Sequence, residues 1–266
     1  MLRRLVLGMS VQAWSQLCGM NIMMYYIVYV MESAEIGSPL LTASIQYIVN
    51  VVLTLPAILF LDRWGRRPAL IVGSFLMMTW LFISGALQQY YGQPNTPEMR
   101  TGRSKDITWI VVGNRPVSCA IVACSYLFVA TFATTWGPTS WTYPAEIFPS
   151  RIRAKAVSIS TATNWLFNTV LAFAVPPLLW HINYKTYYLF GSFNAAAFVH
   201  MFFTAHETKG FTLEEMDDVF DTGSRAWQRS GPGRSRLEEL ETQLETETAG
   251  KVKSTENICE LPKAPQ

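Results

Sequence analysis

Trp136-Gly137-Pro138-Thr139-Ser140-Trp141-Thr142-Tyr143-Pro144-Ala145-Glu146-Ile147-Phe148-Pro149-Ser150-Arg151-Ile152-Arg153 ends a membrane-length apolar run, breaks it at Gly-Pro, and closes on one acid and two arginines. Lipid offers no hydrogen bonds, so backbone freed by a break at membrane depth must pack inside protein or line a cavity. Gly137-Pro138 beside Trp141 therefore marks an interior wall and not a lipid-facing anchor. Broken helices of this kind are where transporters build their binding sites. The charges that follow mark the aqueous end, and the stretch as a whole points to a transporter.

Working outward, half of the 266 residues are apolar, 15% are charged, and most of the acids lie after His206. The first four-fifths thus reads as lipid-embedded. Apolar runs cover 5–30, 40–61, 69–87, 117–144, 156–179 and 187–205, each near the roughly 17–25 residues of a spanning helix. The expected fold is an all-α membrane protein, a six-helix bundle over 1–206. The start, Met1-Leu2-Arg3-Arg4, mimics a signal peptide, but its apolar run continues through Gln12, Gln16 and Asn21 without a small-residue cleavage site, so it reads as a retained helix. Cys18, Cys119 and Cys124 lie inside runs and Cys259 in the tail, without metal-ligand spacing. No metal and no cofactor are expected. A net charge of +2 argues against a nucleic-acid partner.

Orientation follows from the basic residues, which are held on the cytoplasmic side. Arg3 and Arg4, then Arg63, Arg66 and Arg67, then Arg151, Arg153 and Lys155 fall on alternate loops, while the loop over 31–39 carries Glu32 and Glu35. Both termini are expected in the cytoplasm. The outer loop 88–115 carries Arg100, Arg103, Lys105 and Arg115, which weakens the contrast without reversing it.

Gly and Pro punctuate the runs: Gly19 in the first, Pro56 in the second, Gly137-Pro138 in the fourth, and Pro176-Pro177 ending the fifth. On a regular helix Gln16 and Asn21 would point roughly 140° apart, so both reach one cavity only if the helix unwinds near Gly19. Asn164 and Asn168 already share a face. After the last run, Thr212 as N-cap and Glu215 complete a capping box, and Leu213, Met216 and Phe220 fall on one face. A short cytoplasmic amphipathic helix is expected over 207–221. From 222 to 266 Ser, Gly, Pro and Glu dominate, and a disordered tail is expected, with a short helix over 236–248 as an option.

The runs between 5 and 144 contain no Asp, Glu, Lys, Arg or His, yet they hold Gln16, Asn21, Tyr25, Asn50 and Trp141. A charged ligand would want an opposite charge in a low-dielectric site, whereas a neutral polyol wants amide donors and acceptors for its hydroxyls. An indole can pack against the apolar face of a pyranose while amides take its rim. A sugar fits better than an ion. Each amide also has a plainer reading as interhelical glue worth ~0.6–2 kcal/mol. Trp14, Trp80, Trp109 and Trp180 read as interface-belt residues, and His200 as a packing residue.

These residues resemble a known family, the C-terminal half of the sugar porters of the major facilitator superfamily, and fungal high-affinity glucose transporters most of all. The resemblance runs over 5–220. It rests on Gln16-Leu17-Cys18-Gly19-Met20-Asn21 through Tyr25-Tyr26, on Asp62-Arg63-Trp64-Gly65-Arg66-Arg67, on Glu146 to Arg153, and on Glu207-Thr208-Lys209-Gly210. It implies that Gln16, Asn21, Tyr25, Asn50, Trp141 and Asn164 meet the sugar and that Tyr26 and Phe132 are gating aromatics. It further implies that Asp62, Arg63, Arg66, Arg67, Glu146, Arg151 and Arg153 cluster to hold an inner gate shut. Ser15 stands where the family commonly has a second glutamine, Ala133 where some members have glutamate, and His206 where proline is usual.

The resemblance implies alternating-access transport of a monosaccharide, a hexose such as glucose or a pentose such as xylose. The chain resembles only the second half of such a transporter. It is expected to be truncated, or to need its N-terminal half or a partner chain, within the bilayer of the plasma membrane. A second reading is a non-transporting sugar sensor or regulatory half-molecule, and a third an inactive fragment. An enzyme is not expected, since no run carries a nucleophile with a base.

Overall fold

The computed structural model describes residues 1–25, 39–94, 109–111, 114–211, 216, 220, 243 and 244, and in these the six apolar runs are helical. α1 (Leu2–Leu17) and α2 (Met20–Tyr25) divide the first run, and α3 (Pro39–Trp64) and α4 (Arg66–Tyr91) form the second and third. α5 (Arg115–Thr134) and α6 (Trp136–Ile147) divide the fourth, while α7 (Arg153–Ile182) and α8 (Lys185–Thr204) are the fifth and sixth. Ser44–Trp64, Arg66–Tyr91, Arg115–Ile147 and Arg153–Ile182 are each long and apolar enough to cross a membrane. α4 packs on α8 and α5, α1 on α7 and α6, and α3 on α5. Small residues permit the close approaches. A Cβ at Gly191 of α8 would lie 3.0 Å from the Phe82 ring of α4, and one at Gly8 of α1 would lie 2.9 Å from Ser160 Oγ of α7.

The unwinding expected near Gly19 is present. Cys18 and Gly19 form a turn, and Gly19 takes a φ of +96°, a conformation open to glycine and strained for other residues. The second break is displaced from the expected position. It falls at Thr135 (φ −122°, ψ −79°) and not at Gly137-Pro138. Pro138 has no N–H to give the carbonyl of Thr134, and its ring clashes with that carbonyl, so the distortion appears upstream of the proline. The Thr135 hydroxyl donates to the Thr131 carbonyl at 2.6 Å.

Trp136, immediately after the break, is fully buried, and its Nε1 donates to the Leu70 carbonyl at 3.1 Å and to Ser74 Oγ at 3.0 Å. It pins the broken segment to α4. Trp136→Phe keeps most of the buried surface but removes the donor shared by the Leu70 carbonyl and the Ser74 hydroxyl, which itself still donates to Leu70. It should lower stability by about 1–2 kcal/mol, seen as a lower thermal midpoint of the purified protein. An unchanged midpoint would show that the indole N–H makes no net contribution.

One further expectation is corrected. Pro176-Pro177 do not end the fifth run, because α7 continues to Ile182 with both prolines inside it. Their rings are exposed, away from the packed helices, and membrane helices carry interior proline where local adjustment re-satisfies the freed groups. Three of the four tryptophans assigned to interfaces turn their N–H groups inward. Trp14 donates to His200 Nδ1 at 3.0 Å, Trp80 to Thr131 Oγ1 at 3.2 Å, and Trp109 to the Gln88 carbonyl at 2.9 Å. Trp180 is 47% exposed. His200 is a packing residue, as read, and the Trp14 bond makes its Nδ1 the acceptor nitrogen.

The connection between α4 and α5 holds a short antiparallel ladder, β1 (Gly92–Pro94) with β2 (Trp109–Val111). Trp109 thereby adds a second donor to the Gln88 carbonyl in the last turn of α4, which also accepts from the Gly92 N–H. At the other end of the bundle, Met216 and Phe220 are helical and turned toward it. Met216 is buried, the Arg4 guanidinium lies 4.7 Å from the Phe220 ring centre, and the His206 ring lies 4.8 Å from it. Leu213 and the tail, apart from Gln243 and Leu244, lie outside the described residues, as does Cys259.

Candidate functional site

The break at Gly19 lets two amides meet that a straight helix would separate. Asn21 Nδ2 donates to Gln16 Oε1 at 2.8 Å, and Gln16 Nε2 donates to Asn164 Oδ1 on α7 at 3.0 Å. Asn164 Nδ2 donates to Gln12 Oε1 at 2.6 Å, and Gln12 Nε2 donates to the Ser140 carbonyl on α6 at 2.8 Å. Asn168 Nδ2 adds a second donor to Gln16 Oε1 at 3.3 Å. The bonds run head to tail, Asn21 to Gln16 to Asn164 to Gln12 to Ser140, so each polarises the next. Gln12, Asn21 and Asn164 are buried and Gln16 is half-buried. A buried amide chain of this kind presents directional donors and acceptors without net charge, which suits hydroxyl groups.

The structure therefore brings Gln16, Asn21 and Asn164 together and joins three helices, α1, α6 and α7, to α2. Trp141 follows Ser140 directly and is 50% exposed, its indole on an open face. Asn50 is half-buried on α3, where its carbonyl accepts from the Thr54 hydroxyl at 2.7 Å. Among the described residues no hydrogen bond links Asn50 to the amide chain. Tyr25 closes α2, Tyr26 lies outside the described residues, and Phe132 packs against the core in the last turn of α5.

At the opposite end, charges meet where α3, α4 and α6 terminate. Arg66 Nη2 lies 2.7 Å from Asp62 Oδ1 and 2.8 Å from Glu146 Oε1, and its Nε also donates to Glu146 at 3.1 Å. The Asp62 side chain is 74% exposed, so that pair is screened by water, whereas the Glu146 side chain is 27% exposed and its pair weighs more. Glu146 Oε2 accepts from the Thr208 hydroxyl at 2.6 Å. These groups line a cleft of about 310 Å³ with Lys209, Gly210, Phe211 and Met216.

The other basic residues expected in this cluster go elsewhere. Arg67 donates to the Phe202 carbonyl at 3.1 Å, and Arg153 donates to the Phe148 carbonyl. The guanidinium of Arg63 lies 5.9 Å from the Phe60 ring centre, and Arg151 is exposed. Among the described residues, the ion pairs of this end are those of Arg66 with Asp62 and with Glu146.

Glu207 is the group that sequence reasoning missed. α4 begins after Gly65 with no side-chain cap and no acid in its first turn, which leaves its leading N–H groups in need of acceptors. Glu207 supplies them from the segment that follows α8, the helix packed on α4. Its Oε1 accepts from the backbone of Arg66 at 2.9 Å, Thr208 at 3.0 Å and Lys209 at 3.0 Å, and its Oε2 accepts from Arg67 at 3.2 Å. A carboxylate at a helix N-terminus also meets the positive end of the dipole. Gly65 makes room, since it holds a φ of +91° and a Cβ there would lie 2.7 Å from Glu207 Oε2. The missing cap at Gly65-Arg66 was the signal that an acid must arrive from elsewhere. Gln12 and Asn168 were also unassigned, although Gln12 lies one helical turn before Gln16.

Residues 1–220 match the model of a family described as Sugar (and other) transporter. The chain is 60% identical over 243 residues to the MFS glucose transporter mfs1 of Aspergillus flavus, covering 91% of this chain and 45% of that protein. It is 44% identical over 232 residues to the high-affinity glucose transporter of Kluyveromyces lactis, covering 85% of this chain and 41% of the relative. Among solved structures, the inward-open xylose transporter XylE from E. coli superposes with a TM-score of 0.65 at 27% identity, over 82% of this chain and 42% of that one. The chain thus spans less than half the length of these relatives.

Proposed function

The chain belongs to the sugar (and other) transporter family, and from that premise we propose that it is the sugar-contacting half of a transporter that moves a monosaccharide across a membrane by alternating access. Its fold is a six-helix half of the major facilitator architecture, and it is a multi-pass membrane protein. The observation that carries the reading is the uncharged amide chain gathered at the Gly19 break. Gln16 and Asn21 offer donors and acceptors to hydroxyls, Asn168 stands beside them, and Trp141 offers an apolar plate to the ring. Gln12, tied to Asn164 and to the Ser140 carbonyl, serves as the frame, and Asn164, bonded to both Gln12 and Gln16, joins that frame to the sugar. Asn50 and Tyr25 complete the pocket in this reading. The substrate is a hexose such as glucose or a pentose such as xylose, and no enzyme chemistry is involved.

In the same reading the Asp62–Arg66–Glu146 cluster, with Tyr26 and Phe132 at the opposite gate, controls access. The basic residues of that end face the cytoplasm, with both termini, and the membrane is the plasma membrane. Glu146→Gln removes the charge opposite Arg66 and is expected to bias the protein toward inward-facing states. Cysteines introduced around the 310 Å³ cleft should then react faster with a polar maleimide, and unchanged reactivity would remove the gating role.

Uptake of radiolabelled glucose and xylose by a host without hexose transporters, expressing the complete gene, tests the function. Saturable uptake of either sugar supports it. Its loss or persistence with a proton uncoupler separates coupled from facilitated transport. Absence of uptake and of binding for both sugars, with the protein in the membrane, would overturn the reading.

A further inference from the structure

Two buried amides outside the chain described above hold the short helix that carries Asn21. α2 has only six residues, far below the length at which a helix is stable by itself. The turn at Cys18-Gly19 interrupts the α-helical ladder at its entrance. Asn194 of α8, fully buried, donates from Nδ2 to the Cys18 carbonyl at 2.8 Å and to the Phe190 carbonyl of its own helix at 2.9 Å. Gln46 of α3, also fully buried, donates from Nε2 to the Met23 carbonyl at 2.5 Å. One amide therefore takes a carbonyl just before α2 and the other a carbonyl inside it.

Each could be ordinary interhelical glue. Against that, both donate to backbone of the same short segment and come from different helices. Asn194 Oδ1 and Gln46 Oε1 are both buried without a hydrogen-bond partner. A buried acceptor left unpaired is unfavourable, so each side chain is held for its N–H. At the break that donor is what the helix lacks, because the Ile22 N–H, the usual partner of the Cys18 carbonyl, bonds Gly19 instead. Phe190 packs at the same place, its Cβ 3.2 Å from where a Cβ on Gly19 would stand.

We propose that Asn194 and Gln46 are positioning residues that clasp α2, one at its entrance and one within it, and thereby set Asn21 against Gln16, a role that rests on the monosaccharide reading of the amide chain only for its effect on transport. The clasp acts on the geometry of the segment 18–23 and touches no substrate. Asn21 is the residue through which it is felt.

The test uses the protein expressed from its complete gene. Hydrogen exchange of the backbone amides of 19–25 should quicken at least about tenfold in Asn194→Leu and in Gln46→Leu, with exchange in α4 and α7 unchanged. The two variants lie on different helices, so either reads the clasp if the other fails to fold. In uptake, each should raise the glucose KM about tenfold while the maximal rate per surface copy stays within about twofold. Asn194→Leu combined with Asn21→Ala should be no worse than Asn21→Ala alone, because both act through one contact. Unchanged exchange in 19–25, or KM effects that multiply, would overturn the proposal. Faster exchange with an Asn21→Ala KM equal to wild type would leave the clasp standing and sink the sugar reading instead.

Discussion

Gln16→Ala is expected to reduce the efficiency of glucose uptake, maximal rate over KM, by about 10²- to 10³-fold at equal surface expression. Gln16 is the junction of the amide chain: it donates to Asn164 and accepts from both Asn21 and Asn168. Truncation removes three hydrogen bonds worth roughly 1–1.5 kcal/mol each and strands amides on α2 and α7, a loss of about 3–4 kcal/mol, or two to three decades at 1.4 kcal/mol per decade. Any bonds from Gln16 to the sugar add to this. Asn168→Ala removes the longest of the three bonds, at 3.3 Å, and should cost far less. Initial rates of radiolabelled uptake decide the matter, and a Gln16→Ala efficiency within threefold of wild type would show that the junction is not part of the site.

Glu207→Ala carries the second large effect. The carboxylate accepts from four backbone N–H groups, two of them at the start of α4. Its removal leaves those donors to water or to nothing and takes away the charge that faces the helix dipole, a loss of about 2–4 kcal/mol. Arg66, which begins α4, also pairs with Glu146, so loosening this terminus should disturb the charged cluster as well. Thermal unfolding of the purified protein should fall by several degrees in Glu207→Ala and by less in Glu207→Gln, which keeps an oxygen acceptor. Equal midpoints for all three proteins would remove Glu207 from the account of this end.

Legibility in the sequence followed the physics of each feature. The six runs could be read because a bilayer demands length and apolarity along a continuous segment. The unwinding at Gly19 could be read because Gln16 and Asn21 face one cavity only if the helix breaks between them. The second break was misplaced because proline acts on the carbonyl four residues back, which puts the distortion at Thr135 and makes Trp136 the buried indole. Pro176 and Pro177 read as a helix end, but sequence does not tell that their rings face outward from α7.

Gln12, Glu207, Asn194 and Gln46 were missed for a shared reason. Each serves a backbone group on another element: the Ser140 carbonyl, the α4 N-terminus, the Cys18 carbonyl and the Met23 carbonyl. Such partners can be sought only once the breaks and helix ends have been located in space. The charged cluster was half-legible for a related reason. Charges at loop ends are visible in the sequence, but Arg67 and Arg153 satisfy carbonyls, and spacing alone does not distinguish that from pairing with Asp62 or Glu146.

The measurement that meets the central claim most directly is an experimental structure of the protein, expressed from its complete gene, with a brominated hexose bound, whose anomalous scattering marks the sugar. The account predicts a hexose beside the Gly19 break, with hydroxyls within hydrogen-bonding distance of the Gln16 and Asn21 amides and the ring against Trp141. A fully occupied hexose elsewhere, with the chain from Asn21 to Ser140 intact and untouched, would contradict it.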